Sequence, residues 1–548
     1  MEILISVLST LANILVAGVV LYTSTKFLGC SIPYVYALPA YQAFGLAFCL
    51  VSVYNVVLYP MLLDPLRVFP RVVAPDIRVL LPVTDAPRGE SALRWVKQHP
   101  SADAIRISTP VGSVLTAVSP RALRDALATN QNDYEKPLSG RNFLARTLGW
   151  GLILSEGATH DRQRKHLTSS FRIQNIRGLH ELMLSKTRIM MQEMEKQCTL
   201  TGKCEMNSWG SKVTLDIIGN SLMYKDFDAL RTEHQPVNEA FEELTAVSPD
   251  TTIHYLLSFV LPGFILSRLP TATNRLVDRN SQVIINACAE GLDAAIADNK
   301  VVQGHGSKQQ RGSEILQSIL SDSQTTRTEI IDQMRTFLGA GHETTATSIA
   351  WATHILTLPD YQHYQTRLRA ELDATGFHTA ISDPQVLEKL PWLNAICEET
   401  LRLYPPVTTT GRIAIRDTTI AGARVPKGTL VVLFPWAVNR NPRYWGGLDS
   451  ERFVPERWLD TRPDGSVRLN KHGGAESNFC ELTFLHGNRG CIGRDFSKAE
   501  LRVILASFFG QFEVARLPGD DLVAEPVGSL TIKPKGGLFV KLRRVRDG

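Results

Sequence analysis

The stretch that most constrains this chain lies near its C-terminus: Phe484-Leu485-His486-Gly487-Asn488-Arg489-Gly490-Cys491-Ile492-Gly493. Glycines and an arginine hold a single cysteine in a loop, and a helical pattern over 494–512 follows at once. A sulfur just ahead of a helix N-terminus faces unpaired backbone N–H groups and the positive end of the helix dipole. With Arg489 and Arg494 adding positive charge, the expectation is a thiolate. Such a group is a metal ligand or a nucleophile, and helix position alone leaves both open. The plain alternative is a buried structural cysteine in a glycine-rich turn.

Composition narrows the classes. A chain of 548 residues with 44% apolar content can bury a large core. A net charge of +5 is small for this length, and no clustered basic face marks a nucleic-acid binder. The eight cysteines are scattered without a Cys-x-x-Cys pair, so a disulfide framework is not expected and a reducing compartment is. His472, Cys480, His486 and Cys491 fit no standard zinc spacing.

The N-terminal 63 residues carry only Glu2 and Lys26 as charged side chains. Residues 1–25 read as a transmembrane anchor helix, since the run 3–22 is long enough to span a bilayer. A cleaved signal would bring a basic start, and here the early charge is Glu2. Residues 26–63 form a second apolar segment, a second span or an interfacial helix. Arg67, Arg71 and Arg78 follow, which places the rest of the chain on the cytosolic side. Prolines at 60, 65, 70 and 75 make 64–75 read as a stiff extended hinge. Residues 76–548 then form one large catalytic domain.

Within that domain the patterns are mainly helical with small β-sheets. Residues 105–118 read as a hairpin, 120–129 as a short helix and 130–148 as a polar, turn-rich loop. Residues 157–166 read as a basic helix start whose plain meaning is a solvated face. Helices follow over 179–198, 208–224 and 274–300. The apolar, aromatic segment 247–271 reads as a substrate lid or membrane-dipping loop. Residues 407–432 alternate as a small sheet, and 527–540 as a hairpin.

Residues 328–358 read as one long helix with a weak middle, Gly339-Ala340-Gly341-His342-Glu343-Thr344-Thr345. Each mid-helix glycine costs about 1 kcal/mol against alanine. Small residues let another group approach the backbone, and a threonine can bond the carbonyl four residues back. The structural reading of the same residues is close helix–helix packing. His342 reads as a hydrogen-bonded neutral histidine rather than a ligand. A further helix, Pro391–Leu403, places Glu399 and Arg402 on one face among Ile396, Leu401 and Leu403, which points to a buried pair needing further partners.

The loop pattern Phe-x-x-Gly-x-Arg-x-Cys-x-Gly resembles the haem-binding loop of the cytochrome P-450 haem-thiolate monooxygenases. The resemblance covers residues 76–545 and implies that family's fold, mainly α with small β-sheets, with haem b ligated axially by the Cys491 thiolate. Phe484, His486 and Arg489 of the loop are assigned to the cofactor. Arg164 stands where the family has a propionate-binding arginine, and His160 replaces the usual tryptophan four residues earlier. Arg412 occupies another propionate-binding position. The stretch 340–345 resembles the oxygen-binding groove and implies proton delivery by Thr344, helped by Glu343. Glu399, Arg402 and Arg457 match a structural triad. Phe337, Ala340, Val407, Thr408, Thr409 and Leu530 are placed at the substrate pocket.

The activity so implied is insertion of one oxygen atom from O2 into a lipophilic small molecule by hydroxylation or epoxidation. The look of the chain resembles fungal members of secondary metabolism. No flavin or nicotinamide motif occurs, so electrons are expected from an NADPH-cytochrome P-450 reductase at the endoplasmic reticulum membrane. Lys165, Arg494 and Lys498 are its candidate docking cations, and no nucleic-acid partner is expected. Two rivals remain: an isomerase, dehydratase or peroxide-driven enzyme on the same fold, and a haem sensor or carrier without turnover.

Overall fold

The computed structural model describes residues 15, 19, 20, 22, 23, 40–54, 58, 62–73 and 89–546, except 110–111, 247, 261–262, 306–315, 317–318, 321–324, 446–448, 520–521 and 529. Most of the expected anchor, 1–25, lies outside the described residues.

In chain order the first element is helix α1, Ala40–Val53. Strands β1 (Arg71–Val73), β2 (Ala104–Thr109), β3 (Gly112–Ala117) and β4 (Tyr134–Glu135) follow. Next come helices α2 (Gly157–Thr168) and α3 (His180–Thr201), strand β5 (Cys204–Glu205), and helices α4 (Met206–Leu222) and α5 (Pro236–Thr245). Helices α6 (Ala272–His305), α7 (Arg327–Leu356) and α8 (Pro391–Leu403) complete the helical body. Strands β6 (Thr410–Ala414), β7 (Thr418–Ile420), β8 (Ala423–Val425), β9 (Leu430–Leu433), β10 (Leu459–Thr461) and β11 (Val467–Leu469) precede helix α9, Arg494–Gln511. The chain ends in β12 (Phe512–Arg516), β13 (Pro526–Val527), β14 (Lys533–Pro534) and β15 (Phe539–Arg544).

The α7 helix is the axis of the domain. It starts at a capping box, in which the Thr326 hydroxyl accepts from the Glu329 N–H and Glu329 accepts from the Thr326 N–H. It runs along α4 and also touches α6, α8 and α9. The glycines in its middle are explained by that packing. A Cβ at Gly341 would come within 2.5 Å of Ile218 on α4, and one at Gly339 within 2.5 Å of Leu148. The helix stays continuous through them because tight helix contact replaces what propensity takes away.

The six-stranded sheet has the order β1-β2-β3-β9-β6-β4. Residues 64–73, expected as a hinge, are fixed to it. Strand β1 pairs in parallel with β2, and the buried Asp64 carboxylate accepts from the Leu66 N–H, Arg106 and Ser113. A buried carboxylate with three donors holds that segment against the domain. Residues 138–148, expected as loop, are helical. Their turn-forming Gly140 and Asn142 are overridden from α7: Arg335 donates to the carbonyls of Arg146 and Thr147, and Thr336 to that of Leu148 at 2.9 Å, so the helix's last carbonyls are capped. The C-terminal tail is not one hairpin. Strand β14 pairs with β13, whereas β15 pairs with β12 and β5. Gly536 and Gly537, both at positive φ (77° and 86°), turn the chain from one sheet to the other.

Candidate haem-thiolate site

The cysteine loop is built from behind. Cys491 N–H donates to the Phe484 carbonyl at 2.8 Å and Gly490 N–H to that of Gly487 at 3.0 Å. Gly487 sits at φ 72° with the Leu127 carbonyl pressed so close that any side chain would collide. The Cys491 sulfur takes one helix-end N–H, from Gly493, the N-cap of α9. Its surroundings otherwise run against the expected thiolate: enclosure by protein pushes the thiol up, and the Gly493 N–H, Arg164 and Arg494 only partly offset this. The side chain is nevertheless exposed, so the sulfur is presented from a protein-walled recess. A metal ion at that sulfur would supply the missing positive charge and deprotonate it outright.

Arg164, on α2, donates to the Gly490 carbonyl at 2.7 Å and so lies against the cysteine loop. His160, one turn earlier and buried, places Nδ1 3.2 Å from Asp161, and burial lowers its pKa. Arg489 is committed to Glu156 (Nε to Oε2, 2.7 Å) and to the Gln131 carbonyl. Lys136 holds the other oxygen of Glu156 at 3.0 Å, and burial pushes it down to about 8. Arg412 is 2% exposed and donates only to Thr410 Oγ1 and the Gly411 carbonyl among the described residues. Burial, with only the Glu156 charge to offset it, pushes its pKa down to about 10. Three cations thus share one carboxylate. His486 turns Nε2 to the Glu481 carbonyl at 2.8 Å and packs at a tilt against Phe479, and Phe484 packs on the core under Lys498.

Behind the loop the structure brings Glu399, Arg402 and Arg457 together. Arg402 grips Glu399 with two bonds of 2.8 Å, and Arg457 adds one of 2.9 Å. The Val454 N–H and Trp458 indole fill the remaining carboxylate positions. Burial alone would raise the Glu399 pKa, but the two guanidinium groups carry it below the usual value. The spare donors of Arg402 reach the carbonyls of Asn439, Ser450 and Arg452.

On α7 every residue from 333 to 356 is buried except Gly339, Ala340, Gly341 and Thr344, which are half-buried. Thr344 donates to the Ala340 carbonyl at 2.6 Å, which leaves its oxygen lone pairs free to accept. Glu343 points elsewhere. Its Oε1 lies 2.9 Å from Lys533 at the floor of a crevice of about 310 Å³, lined also by Glu205, Ser208, Ser211 and Glu242. His342 is buried between α4 and α5 on Ser211 and Asn238, and burial pushes it down to about 3, so it is a neutral packing residue. Phe337 packs on Phe171, ring centroids 5.5 Å apart and tilted by 36°, in the main core. Val407 and Leu530 remain 40% and 38% exposed, whereas Thr408 is buried. The Ile532 N–H donates to the Pro406 carbonyl, so the 407–409 and 530–531 segments share one wall. The buried hydroxyls of Thr409 and Thr531 on it have no hydrogen-bond partner.

Sequence reading had no signal for Lys136, Glu156 and Lys533, whose roles arise from contacts between distant segments. Glu500 on α9 was also missed. It is fully buried with neither carboxylate oxygen at hydrogen-bond distance from a partner among the described residues, and burial raises it well above the usual carboxylate range, with Thr345 the one group that opposes the rise.

An exposed thiol in a walled recess, flanked by a buried surplus of positive charge, fits one prosthetic group: an iron porphyrin bearing two carboxylates. The fold and site define a haem-thiolate monooxygenase. The sequence model of the cytochrome P-450 family matches residues 111–541, and the chain belongs to that family, with haem b on a cysteine thiolate. Among its relatives, the cytochrome P-450 monooxygenase sphH of Aspergillus fumigatus is 34% identical across 90% of this chain and 91% of its own length. The monooxygenase ptmK of Penicillium ochrochloron is 32% identical across 89% and 96%.

Proposed function

We propose that this monooxygenase hydroxylates or epoxidises a lipophilic small molecule in fungal secondary metabolism, using electrons from a separate NADPH-dependent reductase at the endoplasmic reticulum membrane. The observation that carries the reading is the half-buried strip of α7 at Ala340 and Thr344, beside the packed Gly339 and Gly341, in a helix otherwise buried along that stretch. When bound, haem b supplies oxygen activation at its iron. Cys491 is its axial ligand. Arg412, Arg164 and His160 would hold its propionates, with Arg412 the buried cation that most needs a carboxylate. Arg489, His486 and Phe484 shape the loop through Glu156, Glu481 and the core. Thr344 accepts a hydrogen bond over the half-buried strip, and Glu343 joins that strip to solvent in the crevice. Proton supply has to be limited, since excess water access releases peroxide.

Val407 and Leu530 are the apolar wall for substrate, together with half-buried Ala340, and the hydroxyls of Thr409 and Thr531, unpaired among the described residues, are its polar handles. Membrane attachment rests on the apolar N-terminal sequence and on exposed Leu46, Leu50, Val53, Leu62 and Leu63. Among the described residues no helix is long and apolar enough to cross a membrane. The helix 249–260, which exposes Ile253, fits a lid or a membrane-dipping loop. Of the candidate docking cations, Lys165 and Arg494 are exposed. Lys498 is bound to both oxygens of Glu398 at 2.7 Å, which removes it from that surface.

The test is NADPH consumption by the haem-loaded protein with reductase and a panel of lipophilic compounds, alongside Soret shifts. Substrate-stimulated consumption with oxygenated product is expected. Binding shifts without consumption would overturn turnover in favour of a haem carrier, and product formed without reductase would favour the isomerase, dehydratase or peroxide-driven alternative.

A further inference from the structure

Helix α3 ends at Thr201, and Gly202 closes it in the left-handed region at φ 74°, its N–H donating to the Cys198 carbonyl at 2.9 Å. That reversal lays Cys204, the first residue of β5, back against the last turn of α3. The two sulfurs are 2.6 Å apart. This is closer than unbonded sulfurs rest and longer than the ~2.05 Å of a disulfide. Cys198 is half-buried and Cys204 buried. Behind them, Cys204 Sγ meets the Met194 carbonyl at 3.0 Å and Cys198 Sγ the Val540 carbonyl at 3.9 Å. Among the described residues no other two cysteine sulfurs lie in contact.

We propose that Cys198 and Cys204 are a reversible thiol–disulfide pair that takes hydrogen peroxide as its oxidant, a modification site separate from the haem machinery. Cys198 is the accessible sulfur. Its thiolate attacks peroxide, the O–O bond breaks, and Cys198 becomes a sulfenic acid while hydroxide leaves and takes a proton to form water. The Cys204 sulfur then attacks the Cys198 sulfur. The S–S bond forms, the S–O bond breaks, and the Cys204 proton leaves with the departing hydroxide as a second water. Two thiols lose two electrons and two protons, and one peroxide becomes two waters. Burial and the neighbouring Cys198 raise the Cys204 thiol strongly, which keeps it protonated until the sulfenic acid forms.

The bond would close where several elements meet. Cys204 is paired with Val540 of β15. The next residue, Glu205, caps α4 by accepting from the N–H groups of Asn207 and Ser208, and α4 lies along α7. Oxidation therefore ties the end of α3 to the anchoring corner of α4.

The sequence makes the test direct, because Lys203 lies between the two cysteines and Lys196 and Lys212 flank them. The haem-loaded full-length protein is treated with hydrogen peroxide, alkylated under denaturing conditions, cut with trypsin and mapped by mass. Peptides 197–203 and 204–212 should appear joined, lacking two hydrogens, and should separate after dithiothreitol. Cys288, Cys397 and Cys480 should alkylate as in untreated protein. In Cys204→Ser, a dimedone adduct should accumulate at Cys198. Full alkylation of both cysteines after peroxide, or sulfinic acid at Cys198 with Cys204 still free, would overturn the pair. A joined peptide in the wild type with no dimedone adduct in Cys204→Ser would overturn the order of attack.

Discussion

Glu399 and Arg412 are both buried ions, one behind the cysteine loop and one beside it, and their surroundings differ. Glu399 is ringed by two guanidiniums, an indole and a backbone N–H. Arg412 bonds a hydroxyl and a carbonyl, and no carboxylate salt bridge to it appears among the described residues. The same contrast recurs in the hydroxyls. Those inside the helix bundle, such as Thr214 and Thr353, find carbonyls, whereas Thr409 and Thr531, on the wall shared by 407–409 and 530–531, find none among the described residues. Where the protein completes its own polar contacts, the residues hold the fold. Where it leaves them incomplete, they await something that is not protein.

The sharpest way to break that contrast is Arg402→Ala. It strands the Glu399 charge in a dry interior and should cost about 3–5 kcal/mol, seen as loss of folded, haem-binding protein in denaturant titration. A loss under about 1 kcal/mol would mean that water replaces the guanidinium. The same knot predicts acid sensitivity. A carboxylate with a depressed folded pKa stabilises above its unfolded value and loses that contribution as pH falls through the folded one. His342 and His354 add to this, since burial pushes them down to about 3 and about 4 from 6.5. Below 6.5 the unfolded chain protonates them and the folded chain does not. Stability should fall by up to about 1.4 kcal/mol per pH unit for each, and a flat pH profile from 6.5 to 4 would show that these histidines are hydrated.

Arg412→Met should move the other way. Removing an unpaired buried cation should stabilise the haem-free protein by about 1–3 kcal/mol, while haem is lost faster to a scavenging apoglobin. Destabilisation of the haem-free form would place Arg412 with the structural group. Glu500 lies between the two regions, and its neutral form predicts that Glu500→Gln is tolerated within about 1 kcal/mol, whereas Glu500→Asp, a shorter acid leaving a gap against Thr345, is less stable. The smallest structural effect belongs to Thr344→Ala, about 0.5 kcal/mol or less because the hydroxyl only back-bonds its own helix. Its effect on chemistry should be large: more peroxide released per product. Unchanged coupling would remove Thr344 from the proton path.

Much of this was legible in the chain because the chemistry is local. Pro391 in a first helical turn, the i, i+3 spacing of Glu399 and Arg402, and the glycines around Cys491 act over a few residues, so their patterns survive in one dimension. Residues 138–148 show the opposite. Gly140 and Asn142 argue for loop, and only Arg335 and Thr336, about 190 positions away, make the helix close. Lys498 looked like a free surface cation until Glu398 met it. The helix-end argument for a Cys491 thiolate invoked several N–H groups, of which one, from Gly493, reaches the sulfur, and it could not count the protein that encloses the sulfur.

The sequence by itself determined the reaction class, since cysteine loop, weak mid-helix and triad are short-range patterns in a fixed order. Tertiary structure decided which of those residues remain open. Gly341 is spent on packing against Ile218 while Ala340 and Thr344 stay half-buried, and Glu343 is turned to Lys533 while Arg412 makes no direct bond to a carboxylate among the described residues. Burial and pairing depend on which distant segments come into contact, and an interior polar group has no energy of its own until its neighbours are in place.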